Sequence, residues 1–171
     1  MSTKPAEPQE SPATGSLDDL PLQNFLTYRL LTLTNRLNRQ ATKILSREAD
    51  LRLPEWRCMG LLFANGPISV ARMAELSGMD KGLISRSLSS MTDKGFVLTM
   101  RPRDDRRTLV ASLTKAGERQ AEKVLPVMRK RQRHLLAALS PEDRAATYRI
   151  IEQLHGAVDS WNARDDRDGG T

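Results

Sequence analysis

Between Ser69 and Leu113 the chain sets a short helix, a glycine turn, a second helix and a strand pair in fixed order, and few folds accept that order. Ser69-Val-Ala-Arg-Met-Ala-Glu-Leu76 opens on a serine able to cap a helix, and Ser77-Gly78-Met79 turns the chain. Asp80 caps a second helix predicted from Lys81 to Lys94, and Gly95 stops it. Val97–Arg101 and Thr108–Leu113 then alternate as short antiparallel strands do, joined by Pro102-Arg-Asp-Asp-Arg-Arg107. Apolar residues occupy both alternation sets, so the buried face of the hairpin stays open. This order makes the expected fold mainly α with a small β-hairpin wing, a winged helix-turn-helix.

Such a unit reads duplex DNA when its second helix presents a polar, slender face. Ile84, Leu88 and Met91 recur at i, i+4 and i+7, a stripe suited to core packing. At 100° per residue Gly82, Ser85, Arg86 and Ser89 fall on the opposite side, beside Lys81 at the helix start. Serine and arginine are groups that meet base edges and phosphates in the major groove, and Gly82 would let the backbone approach closely. By itself a serine-rich face is also what a solvated surface helix carries. The hairpin tip adds Arg101, Arg103, Arg106 and Arg107, side chains that can enter a minor groove. The plainer reading of that tip is an edge strand kept soluble by charge. Asp104 and Asp105 imply that some of these arginines are paired internally.

Charge is distributed in the same sense. The 171-residue chain has a formal net charge of +6, and positions 81–107 hold seven Lys and Arg against three Asp. That excess favours a polyanionic partner. A membrane surface would attract the same charge, but no long apolar run or export signal is visible, so the expected location is cytoplasmic and no membrane partner is expected. One cysteine excludes an internal disulfide framework. His134 and His155 lack metal-ligand spacing, and there is no phosphate-binding glycine loop, nucleophile elbow or acid pair. No metal, cofactor or catalytic residue is expected, and the chain is not read as an enzyme.

The flanking sequence is helical. Residues 1–17, rich in Pro, Ser, Glu and Thr, read as a disordered tail, as do 164–171, leaving one domain at 18–163. Within it the DNA-binding lobe spans about 53–113, and helices at about 20–46 and 114–162 would serve dimerisation. Leu22, Leu26, Leu30, Leu33 and Leu37 stripe a helix from Pro21 to Ser46. Pro54 starts another, ended by Asn65-Gly66-Pro67. Thr114 caps a helix reaching about Leu139 and kinked, not broken, at Pro126; Ser140-Pro141-Glu142-Asp143 begins the last, with Thr147, Ile151, Leu154, Val158 and Trp161 on one face. These terminal stripes either close a monomer core or join two chains. The basic run Arg129-Lys-Arg-Gln-Arg133 reads as a solvated face.

Leu53-Pro-Glu-Trp-Arg-Cys-Met-Gly-Leu-Leu, Met79-Asp-Lys-Gly-Leu-Ile-Ser-Arg, Thr92-Asp-Lys-Gly-Phe-Val and Asp105-Arg-Arg…Leu113-Thr-Lys-Ala-Gly117 together resemble the MarR (multiple antibiotic resistance regulator) family across residues 20–160. The resemblance implies a homodimer that sets a recognition helix in each major groove and a wing tip in each flanking minor groove of a palindromic operator. It assigns DNA contact to Ser85 and Arg86, groove insertion to Arg107 and bracing of the wing to Asp105. It further implies a repressor released by a small, often aromatic or phenolic, effector. Arg29 and Trp56 could supply a carboxylate partner and a stacking surface for one, although a surface ion pair and core packing explain them equally. Cys58 beside Arg57 opens a redox-sensing alternative, which its flanks Met59 and Leu61-Leu62-Phe63 oppose by suggesting a buried thiol. A sequence-indifferent architectural DNA binder is the other alternative.

Overall fold

The computed structural model describes residues 20–105 and 107–168, with side chains to residue 164. The chain forms two compact units, one extending to Ala121 and one beginning at Glu122. In the first, a 3-10 turn (Leu22–Asn24) precedes α1 (Leu26–Glu48), α2 (Leu53–Asn65), β1 (Ile68–Ser69), α3 (Val70–Ser77), α4 (Lys81–Asp93), β2 (Val97–Met100) and β3 (Val110–Leu113). Helix α5 (Lys115–Leu136) begins there and continues into the second unit, which α6 (Pro141–Asp168) completes.

Local chemistry sets most boundaries. Ser69 Oγ accepts from the Arg72 amide at 3.1 Å and Asp80 Oδ1 from the Leu83 amide at 3.0 Å, so both helices of the pair are capped as expected. Helix α4 ends in a Schellman turn: the Phe96 amide donates to Met91 O at 2.8 Å and the Gly95 amide to Thr92 O at 2.9 Å, with Gly95 at φ +72°. Helix α1 starts at Leu26, later than the Pro21 expected, because Phe25 offers no side-chain cap and the preceding residues tighten into the 3-10 turn.

The sheet has strand order β1-β3-β2, all antiparallel, with Ile68 opposite Ala111 and Thr99 opposite Ala111 on the other side. Strand β1 is not foreseen by sequence, since two residues carry no readable alternation. Its pairing ties the start of α3 to the wing, and the Val70 amide donates to Leu109 O at 3.0 Å. The sheet also decides which hairpin face is inward: Val97 and Ala111 are buried while Leu98 and Met100 are exposed.

Leu45, Met59, Leu62, Met73, Ile84, Leu88 and Met91 form the buried core, so the α4 stripe lies where its period puts it. Each such side chain contributes about 1.5–3 kcal/mol by leaving water. Helix α5 is fitted against the end of α4 at Gly117. A methyl group there would stand 2.1 Å from Phe96 O. Thr114 Oγ1 accepts from the Gly117 amide at 3.0 Å and donates to Gly95 O at 2.7 Å.

In the second unit α5 passes through Pro126 as one helix and ends at Leu136, three residues before the expected stop. Arg144 Nε takes over the loose carbonyls there, donating to Leu136 O at 2.9 Å and Leu139 O at 3.2 Å. Ser140 caps α6 by accepting from the Asp143 amide at 3.0 Å. Helix α6 runs to Asp168, so the tail expected from 164 begins as helix, carried on by the residues beyond Trp161. The tail expected at 1–17 lies outside the described residues.

Candidate nucleic-acid interface

Helix α4 turns Ile84, Leu88 and Met91 inward, which leaves Lys81, Ser85, Arg86 and Ser89 exposed. Ser85 Oγ donates to Lys81 O at 2.9 Å, so its hydrogen is occupied and its lone pairs remain to accept. Gly82 has a different reason from the one read in sequence. A methyl group there would stand 2.9 Å from Asp80 Oδ1 and 3.3 Å from Arg86 Nη1. The missing side chain makes room for the capping carboxylate and for the guanidinium lying back over the helix start.

The wing loop is organised around Asp105. Its Oδ1 accepts from the amides of Arg107 at 2.9 Å and Thr108 at 3.3 Å, and its Oδ2 accepts from the Thr108 hydroxyl. The Thr108 hydroxyl, then the Arg107 amide, hold the Asp105 carboxyl below its ordinary value. The sequence suggests that the aspartates pair with arginine side chains. Among the described residues no ion pair joins Asp104 or Asp105 to an arginine; Asp105 engages backbone instead, which shapes the loop while leaving guanidinium groups outside it. Arg101 Nη1 donates to Arg107 O at 3.4 Å. Arg103 and Arg107 are exposed, and Arg106 lies outside the described residues.

These parts meet. A hollow of about 290 Å³ is lined by Ser69, Val70 and Ala71 at the start of α3, Lys81 and Ser85 of α4, and Arg101 and Arg107 of the wing. The side chains of Lys81, Arg86, Arg103 and Arg107 have no hydrogen-bond or ion-pair partner among the described residues. Arg72 on α3, by contrast, is neutralised by Glu75 at 2.8 Å. Of the cations without a partner among the described residues, Lys81 and Arg107 line the same hollow, and cations brought together in this way can take the place of the counterions on a phosphate backbone.

The other candidates separate. Arg29 lines a hollow of about 460 Å³ along α1 with Tyr28, Leu33 and Arg36. Trp56 is half-buried on α2 and is not among the residues lining that hollow. Cys58 is 0% exposed. Burial first, and the negative charge of Glu55 second, push its thiol up to about 11.

Sequence reading missed two features. Asp105-x-x-Thr108 is a legible side-chain turn whose brace is threonine and backbone. Glu55, 0% exposed, is the other. Burial alone would raise its carboxyl, but hydrogen bonds from the Arg52 amide, Ser90, the Arg52 guanidinium and Lys94 outweigh that and hold it at about 2. Only the Glu at the third position of α2, after Arg52, hinted at this.

Residues 51–109 match the family model described as MarR family. The organic hydroperoxide resistance transcriptional regulator of Bacillus subtilis (strain 168) is 24% identical over 81% of this chain and 95% of its own length. An HTH-type transcriptional repressor of Mycobacterium bovis is 28% identical over 82% of this chain and 97% of its own. Among solved structures, a MarR/EmrR family transcriptional regulator from Acinetobacter sp. ADP1 superposes with a TM-score of 0.77 at 20% identity, covering 82% of this chain and 99% of that one. S. aureus MepR in complex with DNA gives 0.69 at 16% identity, covering 77% and 97%. PcaV of Streptomyces coelicolor, in complex with its natural ligand, gives 0.67 at 18%, covering 81% and 97%. No helix among the described residues is long and apolar enough to cross a membrane. The matched segment holds the capped helix pair and most of the wing, so residues 51–109 carry the MarR family match, and most of the chain shares its fold with MarR family transcriptional regulators.

Proposed function

We propose that this chain is a cytoplasmic homodimeric repressor that occupies a palindromic operator and leaves it when a small organic acid or phenolic effector binds. The observation carrying this reading is the set of cations unpaired among the described residues, Lys81, Arg86 and Arg107, arranged with Ser85 about the outer faces of α4 and the wing. In it, Ser85, Arg86 and Ser89 read the major groove, Lys81 and the Gly82 backbone approach phosphates, and Arg103, Arg106 and Arg107 serve the minor groove from a loop braced by Asp105. The DNA complex of MepR, and the word repressor in the name of the M. bovis relative, support the DNA half. The natural ligand held by PcaV supports the effector half. In this chain the hollow with Arg29, Arg36 and Tyr28 offers two cations to an effector carboxylate and a ring to its body. A redox signal is disfavoured despite the name of the B. subtilis relative, because the Cys58 thiol is buried and held protonated.

Footprinting on genomic fragments tests the proposal. One protected, two-fold symmetric stretch is expected, and uniform coating would make the protein architectural instead. On that site Arg86→Ala should lose about 1–3 kcal/mol against the operator and much less against random DNA. Arg107→Ala should flatten the salt dependence by a slope of about 1 for each phosphate no longer neutralised. Aromatic acids that raise the melting temperature should release the fragment.

A further inference from the structure

Helix α4 is held by two kinds of contact that do different things. Ile84, Leu88 and Met91 bury an apolar stripe, and apolar burial is non-directional. It opposes removal of the helix far more than a small rotation or slide. At the end of α4 away from its Asp80 cap the contacts are charged and directional. Glu55, in the first turn of α2, accepts the Arg52 amide at 2.7 Å and Lys94 Nζ at 3.2 Å on Oε2, and Arg52 Nε and Nη2 at 3.1 and 2.9 Å on Oε1. Ser90, in the last turn of α4, helps to hold the pKa of the same carboxylate down. Lys94, the residue closing α4, also donates to Asp50 O at 2.8 Å in the link between α1 and α2, where Asp50 adopts φ +49°.

We infer that Glu55 is a positioning residue for the DNA-reading helix, fixing the azimuth and slide of α4 through Lys94 so that the face carrying Ser85 and Arg86 is presented in one register. The inference rests on the reading of α4 as the recognition helix. Stability is a poor reason for such a device, since a buried charge cluster replaced by well-packed apolar groups is often no less stable. Its distinguishing output is geometry. A base-edge hydrogen bond needs its donor placed to within a few tenths of an ångström, whereas a phosphate contact on a flexible lysine does not. A loosened α4 therefore loses operator affinity before it loses general DNA affinity.

The test compares full-length wild type, Glu55→Gln, Lys94→Met and Lys94→Arg on an operator fragment and a random duplex of equal length. Measurements are made well below each melting midpoint. Glu55→Gln and Lys94→Met should narrow the operator-to-random ratio about tenfold, with random-DNA affinity changed less than threefold, and Lys94→Arg should restore the ratio. Amide shifts of Ser85, Arg86 and Ser89 in the free protein should move in Glu55→Gln and Lys94→Met and stay near their wild-type positions in Lys94→Arg. Should Glu55→Gln fail to fold, Lys94→Met decides alone, since its side chain is part-exposed at one edge of the cluster. Variants with lower melting points but an unchanged ratio would reduce Glu55 to a structural group and overturn the inference. An Arg86→Ala control separates the two readings. If Arg86→Ala keeps the ratio while Lys94→Met lowers it, positioning stands and the role given to Arg86 falls. A wild type with no preference for operator overturns both.

Discussion

Met59, Met73, Ile84 and Met91 of the DNA-binding lobe are 0% exposed, whereas Leu26 and Leu33 of α1 are 54% and 51% exposed and Val158 and Trp161 of α6 are 53% and 69% exposed. The first set is enclosed by its own chain. The second is as apolar and regularly spaced, and a single chain leaves it in water. A lone exposed leucine means little, because much of any protein surface is apolar. An exposed apolar stripe along a single helix, as on α1 and separately on α6, means more, since contiguous exposed apolar surface marks an interaction site. The lobe is enclosed within one chain, whereas the end helices leave apolar faces exposed.

The largest expected effect attacks that contrast directly. Leu30→Asp with Leu33→Asp should convert the protein to monomer and weaken operator binding by at least ~100-fold, because two linked reading heads gain about 10²–10⁴ over one. Helix-turn-helix stability should hardly move, since neither leucine is buried. Sedimentation equilibrium and operator titration read the outcome. A wild type that is monomeric at working concentration would end the comparison, as would a double variant that still dimerises.

Next in size is acid stability, a property of the lobe alone. Glu55 titrates at about 2 in the folded chain against an ordinary 4.5. Its pKa is depressed on folding, so its contribution is complete above 4.5 and fades as the pH falls toward 2. The difference corresponds to about 3 kcal/mol. Urea unfolding should lose that amount between pH 5 and 2, and Glu55→Gln should remove most of the slope. An equal slope in the variant would assign the acid sensitivity to other carboxylates.

Gly117→Ala is expected to cost less, about 1–3 kcal/mol and toward the upper end because the obstacle is a carbonyl oxygen of the backbone. Thermal unfolding measures it. A variant as stable as wild type would mean that α5 can shift away from the end of α4 without penalty.

What sequence makes legible follows range. Ser69, Asp80, Thr114 and Ser140 announce their helices because a cap is made within three residues of itself. The α4 stripe is legible because period and burial express one geometry. Strand β1 is not, because its two residues become strand only by lying beside Val110 and Ala111, about forty residues on. Glu55 escapes for the same reason: Lys94, which completes its cluster, is 39 residues away. Gly117 is visible as part of a family motif, but its cause, the Phe96 carbonyl, depends on how the wing folds back. In the candidate site, residue types and face follow from helical spacing. The backbone bracing by Asp105 and the hollow joining α3, α4 and the wing emerge only in three dimensions.

The smallest expected effect concerns Cys58, which makes the enclosure of the lobe measurable at one atom. With the thiol at about 11, on the order of one in several thousand is thiolate near pH 7.5, against about one in ten for an ordinary free cysteine. Full burial also denies an oxidant its approach. Peroxide should therefore leave operator binding unchanged, and a thiol reagent should modify Cys58 only as fast as the lobe opens. Cys58→Ala should keep operator affinity within about twofold and lower stability by about 1 kcal/mol for the small cavity it leaves. Glu55→Gln should hasten modification modestly, because it removes the nearby negative charge that helps hold the proton on sulfur. Rapid modification of native wild type, or operator release by peroxide that disappears in Cys58→Ala, would mean that the lobe breathes at α2. The contrast between a closed lobe and open end helices would then have to be redrawn as a difference of degree.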